Sequence, residues 1–239
     1  MKLGIMQPYF FPYLGHFALI ANVDRWVVFD VTQYTPKTWM NRNRVLHPKE
    51  GWQYLSVPLA NSSISILTRE ARVLDLGEAC RSVLGKLTHY KRHAPYYRAI
   101  EALVARVMQD TDDPSLVHLN VRGLSAVCEY LGLRFDYQIC SELDLPLPEA
   151  MAPGEWAPTI SALLGANGYV NPAGGRELFD PEHFASRDIS LEFLSFDGFT
   201  YDTGPHAFEP GLSIIDVLMW NSPQVVLDAI HAGSRLLQA

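Results

Sequence analysis

The sequence predicts an α/β protein built on a parallel, Rossmann-like sheet. Three observations point there. The first 30 residues hold a strand, a loop, a helix and a second strand with little between them. Three stretches with apolar residues at helical spacing follow in the middle. Beyond residue 165, short strands alternate with short helices. Tight βαβ units impose parallel pairing and a crossover of fixed hand.

Leu3 to Met6 reads as a short buried strand, apolar on both faces. Pro8 and Pro12 punctuate an aromatic loop, Tyr9-Phe10-Phe11-Pro12-Tyr13. Gly15 opens an apolar stretch of helix length that ends at Val23, and Trp26 to Phe29 is the second strand, stopped at Asp30. Residues 32–50 are polar and loop-like. Gln53 to Leu59 predicts a strand, and two short strands are expected at Ile64–Ile66 and Arg72–Leu76. Glu78–Tyr90, Tyr96–Met108 and Ser115–Leu131 predict a helical middle insertion. Asp113 before Pro114 is an expected N-cap, and Gly132 an expected C-cap. Phe135 to Ile139 reads as a strand. Residues 142–158 hold four prolines and are expected to be an internal boundary or a surface excursion within one domain spanning 1–239. The C-terminal α/β extension then contains a helix (Ile160–Gly165), a strand (Gly168–Asn171), a Gly-Gly turn, a helix near Pro181–Phe184, a strand (Leu191–Phe196) and a last helical region near 212–237.

Hydrophobic residues make up 48% of the 239 and charged residues 19%, a composition that can fill a core. The net charge of −7 argues against a general nucleic-acid binder. Three widely spaced cysteines, Cys80, Cys128 and Cys140, give neither a zinc pattern nor a disulfide framework. With no apolar run near the roughly 20 residues needed to cross a bilayer, and no signal peptide at the start, the expectation is a soluble, cytoplasmic protein without membrane insertion. No metal site and no tightly bound cofactor are expected, and the oligomeric state is left open.

The chemistry concentrates after the first strand. Tyr13-Leu14-Gly15-His16 resembles the HxGH motif of nucleotidyl transferases, pantothenate synthetase and class I aminoacyl-tRNA synthetases, and it sits in the same place, at the start of the first helix. Tyr13 stands where those families carry a histidine, so one phosphate-facing donor becomes a phenol. A helix N-terminus offers unpaired N–H groups and partial positive charge to phosphate. On that reading His16 is catalytic, and Gln7, Tyr9, Tyr13 and Gly15 bind nucleotide or phosphate. The alternative keeps His16 and the aromatics in the core.

The stretch Met6 to Phe17, together with Trp39-Met40-Asn41-Arg42-Asn43-Arg44, Val57-Pro58-Leu59, Tyr169 to Arg176 and Pro210 to Asp216, is similar to the WbqC-like family. That resemblance implies a bacterial transferase of surface-polysaccharide (O-antigen, lipopolysaccharide) biosynthesis with a nucleotidyl-transferase-like (HUP) core. The expected reaction activates a carboxylic or amino acid with a nucleotide and transfers it to an amino sugar. ATP or another nucleotide with Mg²⁺ would be the cosubstrate, and the acid or a nucleotide-sugar the partner. Two rivals remain: a nucleotide-independent acyl or glycyl transferase, and a non-catalytic binding or scaffold protein.

Further candidates follow from residue type. Arg42 and Arg44, two apart in an extended segment, share a face and can grip one anion; they are assigned catalytic roles. Gln33, Lys37, Asn41 and Asn43 are assigned to substrate. Gly174, Gly175 and Arg176 form the expected second phosphate loop, with Gly211-Leu212-Ser213 as a substitute. Asp30 can orient a base, bind Mg²⁺ or cap a turn. His206 and Glu209 are an acid–base pair in prospect, and Tyr90 to Tyr97 a stacking surface or a basic helix end.

Overall fold

A computed structural model describes residues 1–109, 112–148 and 150–239. In chain order it runs β1 (Lys2–Met6), α1 (Leu14–Ala21), β2 (Arg25–Val28), β3 (Arg42–Leu46), β4 (Trp52–Ser56), α2 (Leu76–Leu87), α3 (Tyr97–Gln109) and α4 (Leu116–Leu131). It continues with β5 (Tyr137–Ile139), α5 (Trp156–Leu163), β6 (Gly168–Pro172), α6 (Pro181–Ala185), β7 (Ser190–Phe196), α7 (Ile214–Trp220), α8 (Pro223–Gly233) and β8 (Ser234–Gln238).

The predicted opening unit forms. β1 and β2 pair in parallel, from Leu3 opposite Arg25 to Met6 opposite Val28. The main sheet has the order β5-β2-β1-β6-β7-β8. All its pairs are parallel except β7 with β8. The chain thus grows to one side of β1 and later resumes on the other, which puts the sheet's switch point between β1 and β6. Strand alternation decides which residue faces which layer. Leu3, Ile5, Val27, Tyr169 and Leu191 pack with Ile160 of α5 and Phe184 of α6 on one face. On the other face the larger core gathers Trp26, Val28 and Val170 with α1, α4 and α8. Helix α1 is buried on every side except its last residue, as an apolar helix inside a layered fold must be.

Several local expectations change. Residues 32–50 are not all loop: Arg42–Leu46 is a strand, paired antiparallel with β4 as a separate hairpin. Its buried face, Asn43 and Val45, sits in a segment that reads as polar, so the alternation is masked. Ile64–Ile66 and Arg72–Leu76 are not strands and contribute only isolated bridges near them, such as Arg72 with Ser115. Ile64 is 64% exposed, with no face to cover, which removes the reason to pair. The N-cap of α4 is Ser115 rather than Asp113; the Ser115 hydroxyl accepts from His118 N. Gly132 caps the same helix in the left-handed conformation, φ 73°, as expected. The last helical region breaks before Pro223, which lacks an N–H, and ends in strand β8. The Gly-Gly turn is the start of a 3₁₀ helix, Ala173–Leu178.

Candidate functional site

At the carboxyl end of β1 the aromatic loop 7–13 meets the β3–β4 hairpin, and a cleft of about 260 Å³ opens between them. Tyr9, Pro12, Tyr13, Trp39, Asn43, Arg44 and Gly211 line it. The walls are set by backbone and amide bonds. Phe10 N donates to Trp39 O at 2.8 Å. The buried Asn43 amide donates to the carbonyls of Phe10 and Phe11 at 3.1 and 2.9 Å, which ties the hairpin to the aromatic loop. From the far side, Ser213 N donates to Arg44 O, Ile214 N to Pro12 O, and the Ser213 hydroxyl to Phe11 O.

Arg44 is the cation among the lining residues. Its guanidinium carbon lies 5.4 Å from the Trp39 ring centre and 5.1 Å from that of Trp52, both within cation–π range. One terminal nitrogen donates to Gly211 O at 3.3 Å. Its Nε is buried without a hydrogen-bond partner among the described residues. Trp39, Trp52 and Tyr13 are 40%, 41% and 43% exposed, so aromatic faces stand open to a ligand. Burial holds the Tyr9 phenol above the usual range, helped by Tyr13, and burial alone does the same for Tyr13. Both remain neutral donors. Beside the cleft, and sharing Tyr13 and Gly211 with it, an aromatic recess of about 200 Å³ is lined by Phe196, Phe199, Tyr201 and Phe208.

His16 does not line this cleft. Its ring is 2% exposed and packs between Tyr9 and Trp26, with ring centres 5.6 and 4.8 Å away. Burial pushes its pKa down to about 3, and Nε2 has no hydrogen-bond partner among the described residues. A phosphate-facing imidazole is therefore corrected to a neutral core histidine one layer behind Tyr9. Gly15 is corrected too. The Tyr13 ring lies across it, so an added Cβ would sit 2.4 Å from a ring carbon. The small residue makes room for a side chain of this chain.

The two arginines share a strand face but diverge. Arg42 stacks over Tyr54 at 4.4 Å and donates to Lys37 O at 2.6 Å. Lys37 itself holds a left-handed backbone, φ 61°, and is exposed, as is Gln33. Asn41 donates to Val57 O, so it braces the hairpin. Gln7 is half-buried in the turn after β1. Gly174, Gly175 and Arg176 are not brought to the cleft: Arg176 stacks on Phe193 at 4.9 Å and donates to Gln238 O, beside β7 and β8. The structure thus brings Tyr9, Tyr13, Asn43 and Arg44 together, with Gly211 opposite. Sequence reasoning missed Trp39 as a wall, with Trp52 behind it against Arg44; a tryptophan in a polar loop was the available signal for Trp39.

The profile of the WbqC-like protein family matches residues 7–227. The chain belongs to the WbqC-like protein family. This WbqC-like protein is also 27% identical to the uncharacterized protein Rv1507c of Mycobacterium tuberculosis, over 91% of this chain and 92% of that one. No solved structure matches it. Every aromatic and basic residue of its cleft falls within the matched span. Among the described residues no helix of the WbqC-like chain is long and apolar enough to cross a membrane, and no group of three or more His, Cys, Asp or Glu side chains could hold a metal ion.

Proposed function

We propose that this WbqC-like protein is a transferase of surface-polysaccharide biosynthesis whose cleft binds a sugar or acyl substrate carrying one anionic group. The observation that carries this reading is Arg44, held between Trp39 and Trp52 with an unpartnered Nε. Aromatic faces suit the apolar face of a sugar ring, and a guanidinium suits a carboxylate or a phosphate monoester. One lining cation matches one anionic group. A triphosphate would need more: the start of α1 lies under the Tyr13 ring, and Arg42 and Arg176 are engaged elsewhere. This favours the nucleotide-independent form of the transferase. The nucleotide-activated form, with ATP and Mg²⁺, keeps one point in its favour, the switch point between β1 and β6 where such sheets bind nucleotides.

Calorimetry separates the two. Glucuronate and glucose 1-phosphate are expected to bind the wild-type protein. Arg44→Gln should weaken that binding by roughly tenfold to a hundredfold, the loss of a charged hydrogen bond. ATP with Mg²⁺ should bind weakly and indifferently to the substitution. Tight ATP binding lost on Arg44→Gln would restore the nucleotide reading, and no binding of any probe would sink the sugar reading.

A further inference from the structure

A second cavity, of about 340 Å³, opens at the carboxyl ends of β2 and β5. Arg69, Glu70, Arg72, Asp113, His118 and Glu142 contribute its charged walls, with Asp30 and Ser141 at its base. The place is set by topology: Asp30 follows β2 by two residues, and Ser141 follows β5 by two. Ligands of parallel sheets bind beyond these strand ends.

The carboxylates here already have donors. Asp30 accepts from Ser141 N at 3.0 Å and from the Ser141 hydroxyl at 2.6 Å. Glu70 accepts from Leu67 N at 2.7 Å. Asp113 accepts from Ser115 N at 2.9 Å and pairs with His118 Nδ1 at 2.5 Å. The arginines are in the opposite situation. Among the described residues neither Arg69 nor Arg72 closes an ion pair; Arg72 donates only to the carbonyls of Arg69 and Ala71. The N-terminus of α4, whose residues Ser115, Val117 and His118 reach this cavity, adds partial positive charge to the same wall. Arg69 acts on the Asp30 carboxylate without closing an ion pair and Arg72 closes none among the described residues, so two exposed guanidiniums remain open to an anion.

His118 adds a second handle. Asp113 fixes the ring through Nδ1, and Nε2 faces Glu142 Oε1 at a loose 3.3 Å. Glu142 is 59% exposed, free to turn aside for a ligand. Held between two carboxylates, the ring donates through both nitrogens, so a ligand hydroxyl entering there would accept from Nε2–H and donate to the Glu142 carboxylate.

We propose that this cavity is a second ligand site, built for a small hydroxylated oxyanion. Its charged end meets Arg69 and Arg72, and its hydroxyl meets His118 and Glu142. The site contains none of the cleft residues, so it stands apart from the sugar reading.

The test follows the ring-proton signals of His118 by NMR in the full chain, assigned by their loss in His118→Gln. Sodium lactate, sodium phosphate and sodium chloride are titrated in parallel. Lactate should give a saturable shift and phosphate a weaker one, with none from chloride. Arg69→Gln and Arg72→Gln, made singly and checked for unchanged circular dichroism, should each weaken lactate binding roughly tenfold. Arg44→Gln should leave it unchanged. An equal response to chloride, no shift with any probe, unaltered binding in both arginine variants, or loss on Arg44→Gln would each overturn the proposal. Phosphate binding more tightly than lactate would overturn the role given to the hydroxyl.

Discussion

His16 shows what burial does to a residue chosen for its chemistry. In water an imidazole titrates near 6.5; between Tyr9 and Trp26 its charged form loses solvation, and the pKa falls to about 3. The sign for stability follows. Below pH 6.5 the unfolded chain takes up a proton that the native chain refuses until about pH 3. The native state therefore loses stability as pH falls through that window, by about 2 kcal/mol at pH 5 from this group. His16→Phe should remove that part of the slope. Urea unfolding of both proteins at pH 7 and pH 5 checks it; an identical pH dependence would show that the ring is not held neutral. Tyr13 and Gly15 make the complementary point. Their spacing was legible as a motif, but whether the glycine serves a phosphate or a tyrosine ring depends on a side-chain rotamer that sequence does not encode locally.

Among the elements, the β3–β4 hairpin decides whether a cleft exists. It is outside the main sheet, so its position rests on the burial of Val45, Leu46 and Leu55 in the core and on a few polar clamps. Asp216, fully buried at the start of α7, is the chief one. Its carboxylate accepts from Leu46 N at 3.0 Å, from the Tyr201 hydroxyl at 2.8 Å and from the Tyr90 hydroxyl. Burial raises its pKa, while these three bonds oppose the rise. Asp216→Ala would strand the buried Tyr90 hydroxyl and the half-buried Tyr201 hydroxyl and leave Leu46 N with only the Tyr90 oxygen as acceptor, and a cost of about 3–5 kcal/mol is expected. Chemical denaturation measures the total. Hydrogen exchange at the Leu46 amide reports the hairpin itself, and should accelerate by more than exchange in β1. The hairpin was half legible. β4 showed in its apolar alternation, whereas β3 was hidden because its inward residues include Asn43, a polar side chain buried to bind the carbonyls of Phe10 and Phe11.

At the scale of the whole molecule, the opening unit, the three middle helices and the strands β6 and β7 were legible, because periodicity is a local signal, whereas β8 lay hidden in a stretch that reads as helix. What joins them was not legible. Nothing local states that β6 returns beside β1, or that β8 reverses direction at the edge. Nor does it state that α4 holds the cleft loops. Asn120, buried on that helix, donates through its side-chain amide to Pro8 O and Met40 O, each at 2.8 Å. One residue thus fixes the aromatic loop after β1 to the segment that leads into β3, from behind both cleft walls. Asn120→Ala leaves two carbonyls without a donor and a small void, at a cost of about 2–4 kcal/mol. Its hydrogen bonds go to backbone carbonyls and to no lining side chain, so a purely local effect would leave ligand affinity intact. The expected outcome is instead a double loss, a lower urea midpoint and weaker glucuronate binding in the folded protein, because Tyr9 and Trp39 are positioned through those carbonyls' segments. A variant destabilised by that amount yet binding glucuronate as tightly as wild type would mean that the two loops keep their spacing without α4. The bond from Phe10 N to Trp39 O would then be sufficient.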